Sequence, residues 1–141
     1  MKTKIINESE IFGDVVFDGN IKFTAKKVIV NGKIRAGGDI YAVGNIDAFG
    51  DIYAWEITAR REITARGEIT VRDNINAGGY ISAGGNIGAG GKIYAWDINA
   101  GGDIYAFGKI NADGEIIAGG KITARGDIYA GGKIKSRNLN K

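Results

Sequence analysis

The chain has 141 residues, the length of a single domain, and 24 of them are glycine. It contains no cysteine and no histidine, which removes disulfide bonds, thiolate metal ligands and the most common general base. Its net charge of +3 comes from 19 basic and 16 acidic residues spread along the chain, without the basic stripe of a nucleic-acid-binding protein. We therefore expect a protein that is not an enzyme, has no catalytic or metal site, and binds neither a cofactor nor nucleic acid.

Residues 1–10 are predicted to form a polar N-terminal tail. The sequence turns polar at Asn7 and Glu8, too early for the apolar segment of a signal peptide. No stretch approaches the roughly 18 apolar residues of a membrane-spanning helix. We expect a cytoplasmic protein without a membrane span.

Residues 11–32 are predicted to form the apolar first coil of a β-solenoid. Phe17, Phe23 and Val30 stand where the later repeats have alanine, so this coil should be wider and more apolar than the others. A solenoid exposes a strand edge at each end, which can pair with another copy. The apolar residues expected to make such a self-association contact are Ile11, Phe12, Val15, Phe17, Ile21 and Phe23.

Residues 33–136 repeat a six-residue pattern of a polar residue, isoleucine, any residue, alanine, any residue and glycine. Isoleucine is second in all eighteen units that begin at Lys33, alanine is fourth in sixteen, and glycine is last in thirteen. Residues two apart on a strand face the same side, so isoleucine and alanine should form the core. The final glycine is expected to form a corner with positive φ, which glycine adopts without steric cost.

Some corners depart from this pattern. Asp73 tolerates positive φ, whereas Arg61 does not and is expected to mark a strained or different turn. Two units are one residue short and end in Trp55 and Trp96. We expect tighter corners there, each covered by its indole.

The fifth position of the repeat indicates how many units make one coil. It changes in runs of three: Val43, Phe49 and Trp55, then Arg60, Arg66 and Arg72, then Gly78, Gly84 and Gly90. Runs of three indicate three equivalent faces, and therefore a triangular coil of about 18 residues. We predict one all-β domain, a single-stranded triangular β-solenoid of about seven coils, with a C-terminal tail at residues 137–141.

Aromatic residues at the outward positions form a candidate binding surface. They are Tyr41, Phe49, Tyr53, Trp55, Tyr94, Trp96, Tyr105, Phe107 and Tyr129. With three units per coil, Phe49, Trp55 and Phe107 would each have an arginine one coil later, at Arg66, Arg72 and Arg125 respectively. Such cation–π pairs contribute about 0.5–1 kcal/mol each. We favour this local packing over binding of a glycan or a protein partner.

One segment near the N-terminus resembles a known family. Residues 13–21 (Gly-Asp-Val-Val-Phe-Asp-Gly-Asn-Ile) and then residues 28–34 are similar to the opening of the bactofilins, bacterial cytoskeletal proteins that form polymers. The resemblance extends loosely from about residue 11 to residue 136. It implies a right-handed triangular β-helix with short tails that assembles end to end into filaments.

Two functions are open from the sequence. The preferred one is a structural scaffold that binds itself end to end, as a homo-oligomer or a filament. The alternative is a monomeric or oligomeric surface module that presents tyrosine and tryptophan side chains to a glycan or protein partner.

Overall fold

A computed structural model describes residues 1–140 and shows an all-β solenoid. Its 24 strands form three parallel sheets of eight strands each, and successive strands enter the three sheets in turn. Three strands therefore make one coil, and each strand pairs with residues 17 to 19 positions away, as Ile57 does with Ile40 and Ile75. The predicted fold class is confirmed. Lys141, the last residue of the predicted C-terminal tail, lies outside the described residues.

The first sheet contains every third strand, starting with the first. Its strands are β1 (Thr3–Ile6), β4 (Asn20–Phe23), β7 (Ile40–Ala42), β10 (Ile57–Ala59), β13 (Ile75–Ala77), β16 (Ile93–Ala95), β19 (Ile110–Ala112) and β22 (Ile128–Ala130). All of its pairs are parallel and place isoleucine beside isoleucine in the regular coils. The inward side chains therefore stack in straight columns along the rod.

The second and third sheets follow the same rule. The second contains β2 (Glu10–Phe12), β5 (Lys27–Asn31), β8 (Asn45–Ala48), β11 (Ile63–Ala65), β14 (Ile81–Ala83), β17 (Ile98–Ala100), β20 (Ile116–Ala118) and β23 (Ile134–Lys135). The third contains β3 (Val15–Phe17), β6 (Ile34–Ala36), β9 (Ile52–Ala54), β12 (Ile69–Val71), β15 (Ile87–Ala89), β18 (Ile104–Ala106), β21 (Lys121–Ala124) and β24 (Asn138–Asn140). Because every regular element in residues 1–140 is a strand, this part of the chain has no helix that could cross a membrane.

The core consists of the predicted isoleucine and alanine columns. The repeat isoleucines from Ile34 to Ile122 are fully buried, and so is the alanine or valine two residues after each of them. Ile128 is only partly buried and Ile134 is 39% exposed, because β22 and β23 are the last strands of their sheets. The predicted inward positions of residues 33–136 are therefore confirmed, and within them burial decreases only in the last coil.

The segments predicted as tails contain strands at both ends. β1 lies within residues 1–10 and pairs with β4, and β24 lies within residues 137–141 and pairs with β21. Strands β3 to β23 provide the predicted seven coils, and β1, β2 and β24 extend the sheets. These end strands form because the edge of a sheet offers unpaired backbone groups to the adjoining chain.

The conformation predicted for the corner glycines is wrong. Gly13 is the only described residue with positive φ, at 99°, and it precedes the regular repeats. Arg61 and Asp73 therefore also have ordinary backbone angles. The final glycines of the repeat are favoured by close stacking: a Cβ atom on Gly67 or Gly114 would overlap a side-chain carboxylate oxygen of the preceding coil.

Candidate binding surface

The aromatic side chains predicted to form a surface are distributed over several sides of the rod. Tyr41, Tyr94 and Tyr129 lie on the first sheet, and Tyr53 and Tyr105 lie on the third. Trp96 lies at the corner after the first sheet, Phe49 at the corner after the second, and Trp55 and Phe107 at the corner after the third. The structure therefore brings these nine residues together only in small groups.

Most of these aromatic side chains are exposed, whereas Tyr41 and Tyr53 are half-buried. The indoles of Trp55 and Trp96 are 50% and 58% exposed. That they cover their short corners stays a prediction. Both short corners do leave one residue fewer between strands than a complete repeat, as expected. Tyr80 is also exposed and was missed, because it stands at the first position of a repeat, where other units have polar residues.

The predicted cation–π pairs are confirmed. The guanidinium carbon of Arg66 lies 4.1 Å from the ring centre of Phe49. The corresponding distance is 5.2 Å from Arg72 to Trp55 and 4.3 Å from Arg125 to Phe107. Each arginine lies one coil after its aromatic residue, so the three pairs connect neighbouring coils on the outside of the rod.

Tyrosine hydroxyl groups form a second set of contacts between coils. Arg60 Nε donates to the hydroxyl of Tyr41 at 3.2 Å, and Arg72 Nε donates to that of Tyr53 at 3.0 Å. The hydroxyl of Tyr94 donates to Asp113 Oδ2 at 3.3 Å. Each contact joins the third position of one repeat to the fifth position one coil later. This pairing was not predicted from the sequence, although it follows the same period of three repeats per coil.

The densest group of functional side chains lies where the third sheet meets its corner. The guanidinium carbon of Arg35 is 5.0 Å from the ring centre of Tyr53, whose hydroxyl contacts Arg72. A groove of about 170 Å³ lies beside them and is lined by Arg35, Ala36, Gly37, Tyr53, Trp55 and Arg72. Arg35 was missed because it stands at an outward position that varies in charge and size between repeats.

A second groove adjoins the first and shares Arg35 and Tyr53 with it. It measures about 200 Å³ and is also lined by Lys33, Asp51, Glu68 and Thr70. The two grooves offer guanidinium groups, aromatic rings and carboxylates within three coils. No group of three or more acidic side chains in residues 1–140 is placed to hold a metal ion.

The six residues predicted to make the self-association contact are placed differently from one another. Ile21 and Phe23 are fully buried and Val15 is buried, so these side chains fill the core of the first coils. Ile11 and Phe17 are partly buried against that core, and Phe12 is 81% exposed. Because Ile21 and Phe23 are buried inside the coil, their side chains cannot contact a second copy directly.

Three exposed apolar side chains lie near the N-terminal end of the rod, one on the first strand of each sheet. They are Ile5 on β1, Phe12 on β2 and Val16 on β3, and we call them the apolar rim. Only Phe12 was among the predicted contact residues. Ile5 was missed because it lies in the segment assigned to the tail, and Val16 because it stands at an outward position between two inward residues.

Comparison with known proteins identifies the repeat. A family model described as the haemagglutinin repeat matches residues 13–73, 62–106 and 107–139. No curated protein and no solved structure matches the chain significantly. The comparisons do not name the bactofilins, so the polymerisation implied by that resemblance stays a prediction, although a β-helix is common to both interpretations. The matches extend over most of the solenoid, and the chain belongs to the haemagglutinin repeat family.

Proposed function

We propose that the chain is a structural β-solenoid rod that self-associates end to end through its first coil, into oligomers or filaments. The observation that carries this proposal is the apolar rim on edge strands. Ile5, Phe12 and Val16 are exposed on β1, β2 and β3, the first strands of the three sheets. The predictions that the chain is not an enzyme and lies in the cytoplasm stay predictions.

Two physical features support assembly at the ends of the rod. An edge strand offers unpaired backbone N–H and C=O groups to a strand of another copy. At the other end, Ile128 and Ile134 continue the inward columns but are incompletely covered. Burying such side chains stabilises a contact by about 25 cal/mol for each Å² of apolar surface removed from water. A second copy stacked on either end would cover this surface.

Sedimentation velocity over an about hundredfold range of concentration tests the proposal, since association follows mass action. We expect species that grow with concentration for the unmodified chain, and a shift towards the monomer for the double variant Phe12→Ser and Val16→Ser. Tyr80→Ser is the matched control, because it removes an exposed aromatic ring in the middle of the rod. A chain that stays monomeric at every concentration would rule the proposal out.

A second candidate function is a binding module that presents exposed aromatic residues to a glycan or a protein. It is favoured by the two adjoining grooves at Tyr53, where guanidinium groups and an exposed indole meet. The name of the matched family, haemagglutinin repeat, also supports a role in attachment. Binding of a glycan or a protein by the monomer, with no assembly, would favour this second function.

A further inference from the structure

Two arginine side chains meet at Tyr53 without a carboxylate partner. Arg35 stacks on the ring of Tyr53, and Arg72 donates to its hydroxyl group and stacks on Trp55. Neither arginine makes an ion pair with any residue in the described part of the chain. No carboxylate lines the groove beside them. We propose that this groove binds an acidic saccharide, whose carboxylate contacts the two guanidinium groups and whose ring packs on Trp55.

The guanidinium of Arg72 is positioned before any ligand arrives. The Tyr53 hydroxyl fixes its Nε at 3.0 Å, and the indole of Trp55 lies against it at 5.2 Å. A guanidinium group has five N–H donors, and the hydroxyl takes only the one on Nε. The other donors are available for the paired hydrogen bonds that arginine makes to a carboxylate. The site therefore offers a preorganised anion-binding group.

The walls of the groove suit a sugar ring. The indole of Trp55 is half exposed, and such amphipathic aromatic surfaces commonly line the pockets of small polar ligands. The floor is Ala36 and Gly37, which have no long side chains to fill the space. Asp18 is the acidic residue nearest to Gly37, but it does not line the groove.

The adjoining groove favours a saccharide over a nucleic acid. It contains Asp51 and Glu68 together with Lys33 and Thr70. These carboxylates can accept hydrogen bonds from the hydroxyl groups of a neighbouring sugar, whereas they would repel a continuous phosphate backbone. One acidic group beside a neutral polyhydroxyl unit is the ligand that matches this distribution of charge.

This inference rests on the second candidate function, the binding module, and does not depend on self-association. It is tested by calorimetric titration of the full chain with a disaccharide of one galacturonic acid unit and one galactose unit, the neutral disaccharide of two galactose units, and inorganic phosphate. We expect the acidic disaccharide to bind, and the neutral disaccharide and phosphate to bind at least about tenfold more weakly.

Two variants locate the site and one serves as a control. Arg35→Gln and Arg72→Gln should each weaken binding of the acidic disaccharide about tenfold or more. Arg35→Gln is the informative variant if Arg72→Gln unfolds, since the only side-chain interaction of Arg35 within residues 1–140 is with the ring of Tyr53. Arg125→Gln is the matched control: Arg125 also stacks on an aromatic corner residue, but Gly88 stands where a second arginine would be needed. We expect no change in affinity for that variant.

Several outcomes would overturn the proposal. Equal affinity for the acidic and neutral disaccharides, or for phosphate alone, would remove the assignment of an acidic saccharide. A loss of affinity in Arg125→Gln as large as that in Arg35→Gln would remove the assignment to this groove. Binding of a neutral glycan or a protein that is insensitive to Arg35→Gln would also overturn it, while leaving the binding module intact. Sedimentation of the same samples reports assembly separately.

Discussion

Asp51 Oδ1 accepts a hydrogen bond of 2.8 Å from the backbone N–H of Glu68, one coil later, and lies where a Cβ atom of Gly67 would stand. The same arrangement recurs along the rod. The other acceptor side chains are Asp14, Asn20, Asn74, Asn86, Asp97 and Asp103. In each case the residue before the donating N–H is a glycine. The side-chain oxygen in one coil therefore occupies the space that a Cβ atom would need in the next coil, and this explains why glycine stands there.

The corner at Arg61 is the informative exception. Asn45 Oδ1 accepts from the N–H of Glu62, although the preceding residue has a side chain. That hydrogen bond is 3.2 Å long, compared with 2.8 Å at Glu68. The longer distance follows from the Cβ atom of Arg61, which occupies the space that glycine leaves open to the acceptor oxygen.

Gly67→Ala should destabilise the rod by about 0.5–1.5 kcal/mol, because the new Cβ displaces the Asp51 oxygen from its hydrogen bond with the backbone N–H of Glu68. Chemical denaturation followed by circular dichroism measures the change. Asp51→Asn is the control, since the amide oxygens of Asn74 and Asn86 serve the same role elsewhere. In a double-mutant cycle, Gly67→Ala should lower the free energy of unfolding much less in the Asp51→Ala variant than in the unmodified chain. Fully additive losses would contradict the coupling between the two residues.

Gly88→Ala should stabilise the rod by about 0.4–1 kcal/mol. Gly88 lies inside β15, its φ is not positive, and a Cβ atom built on it meets nothing within 4 Å. Alanine there reduces the freedom of the unfolded chain without creating a clash. A lower denaturation midpoint for this variant would show that the outer face at Gly88 is tighter than the structure indicates.

Ile75→Ala should cost about 2–5 kcal/mol, because it leaves a cavity in the centre of a fully buried column. Ile134→Ala should cost about 1 kcal/mol or less, since that side chain is 39% exposed at the last coil. The same denaturation experiment compares the two. Similar losses at both positions would mean that the last coil is buried in solution, as end-to-end assembly would bury it.

Phe49 and Arg66 should show a favourable coupling of about 0.5–1 kcal/mol in a double-mutant cycle of their alanine variants. The guanidinium lies 4.1 Å from the ring centre, and the Arg66 side chain makes no hydrogen bond, ion pair or second ring contact with the described residues. Tyr80 and Arg66 provide a control pair, because the structure places no contact between them. A coupling free energy of zero for Phe49 and Arg66 would show that their cation–π stacking does not stabilise the rod.

The sequence by itself determined the solenoid, its inward columns and three of its cation–π pairs. It could do so because a strand alternates its side chains with a period of two and because the fifth position repeats in threes. Those two periods place Arg66 beside Phe49 and Arg125 beside Phe107 before any coordinates are known. Burial of Ile34 to Ile122 follows from the same alternation.

Contacts that depend on the distance between stacked coils could be determined only from the tertiary structure. The glycine at Gly67 has an ordinary φ and is required by the Asp51 oxygen of the previous coil, which no local pattern reveals. The approach of the Arg35 guanidinium to the Tyr53 ring is also set by this stacking. Both contacts join residues about one coil apart in the chain, and they depend on atomic packing that a six-residue period does not specify.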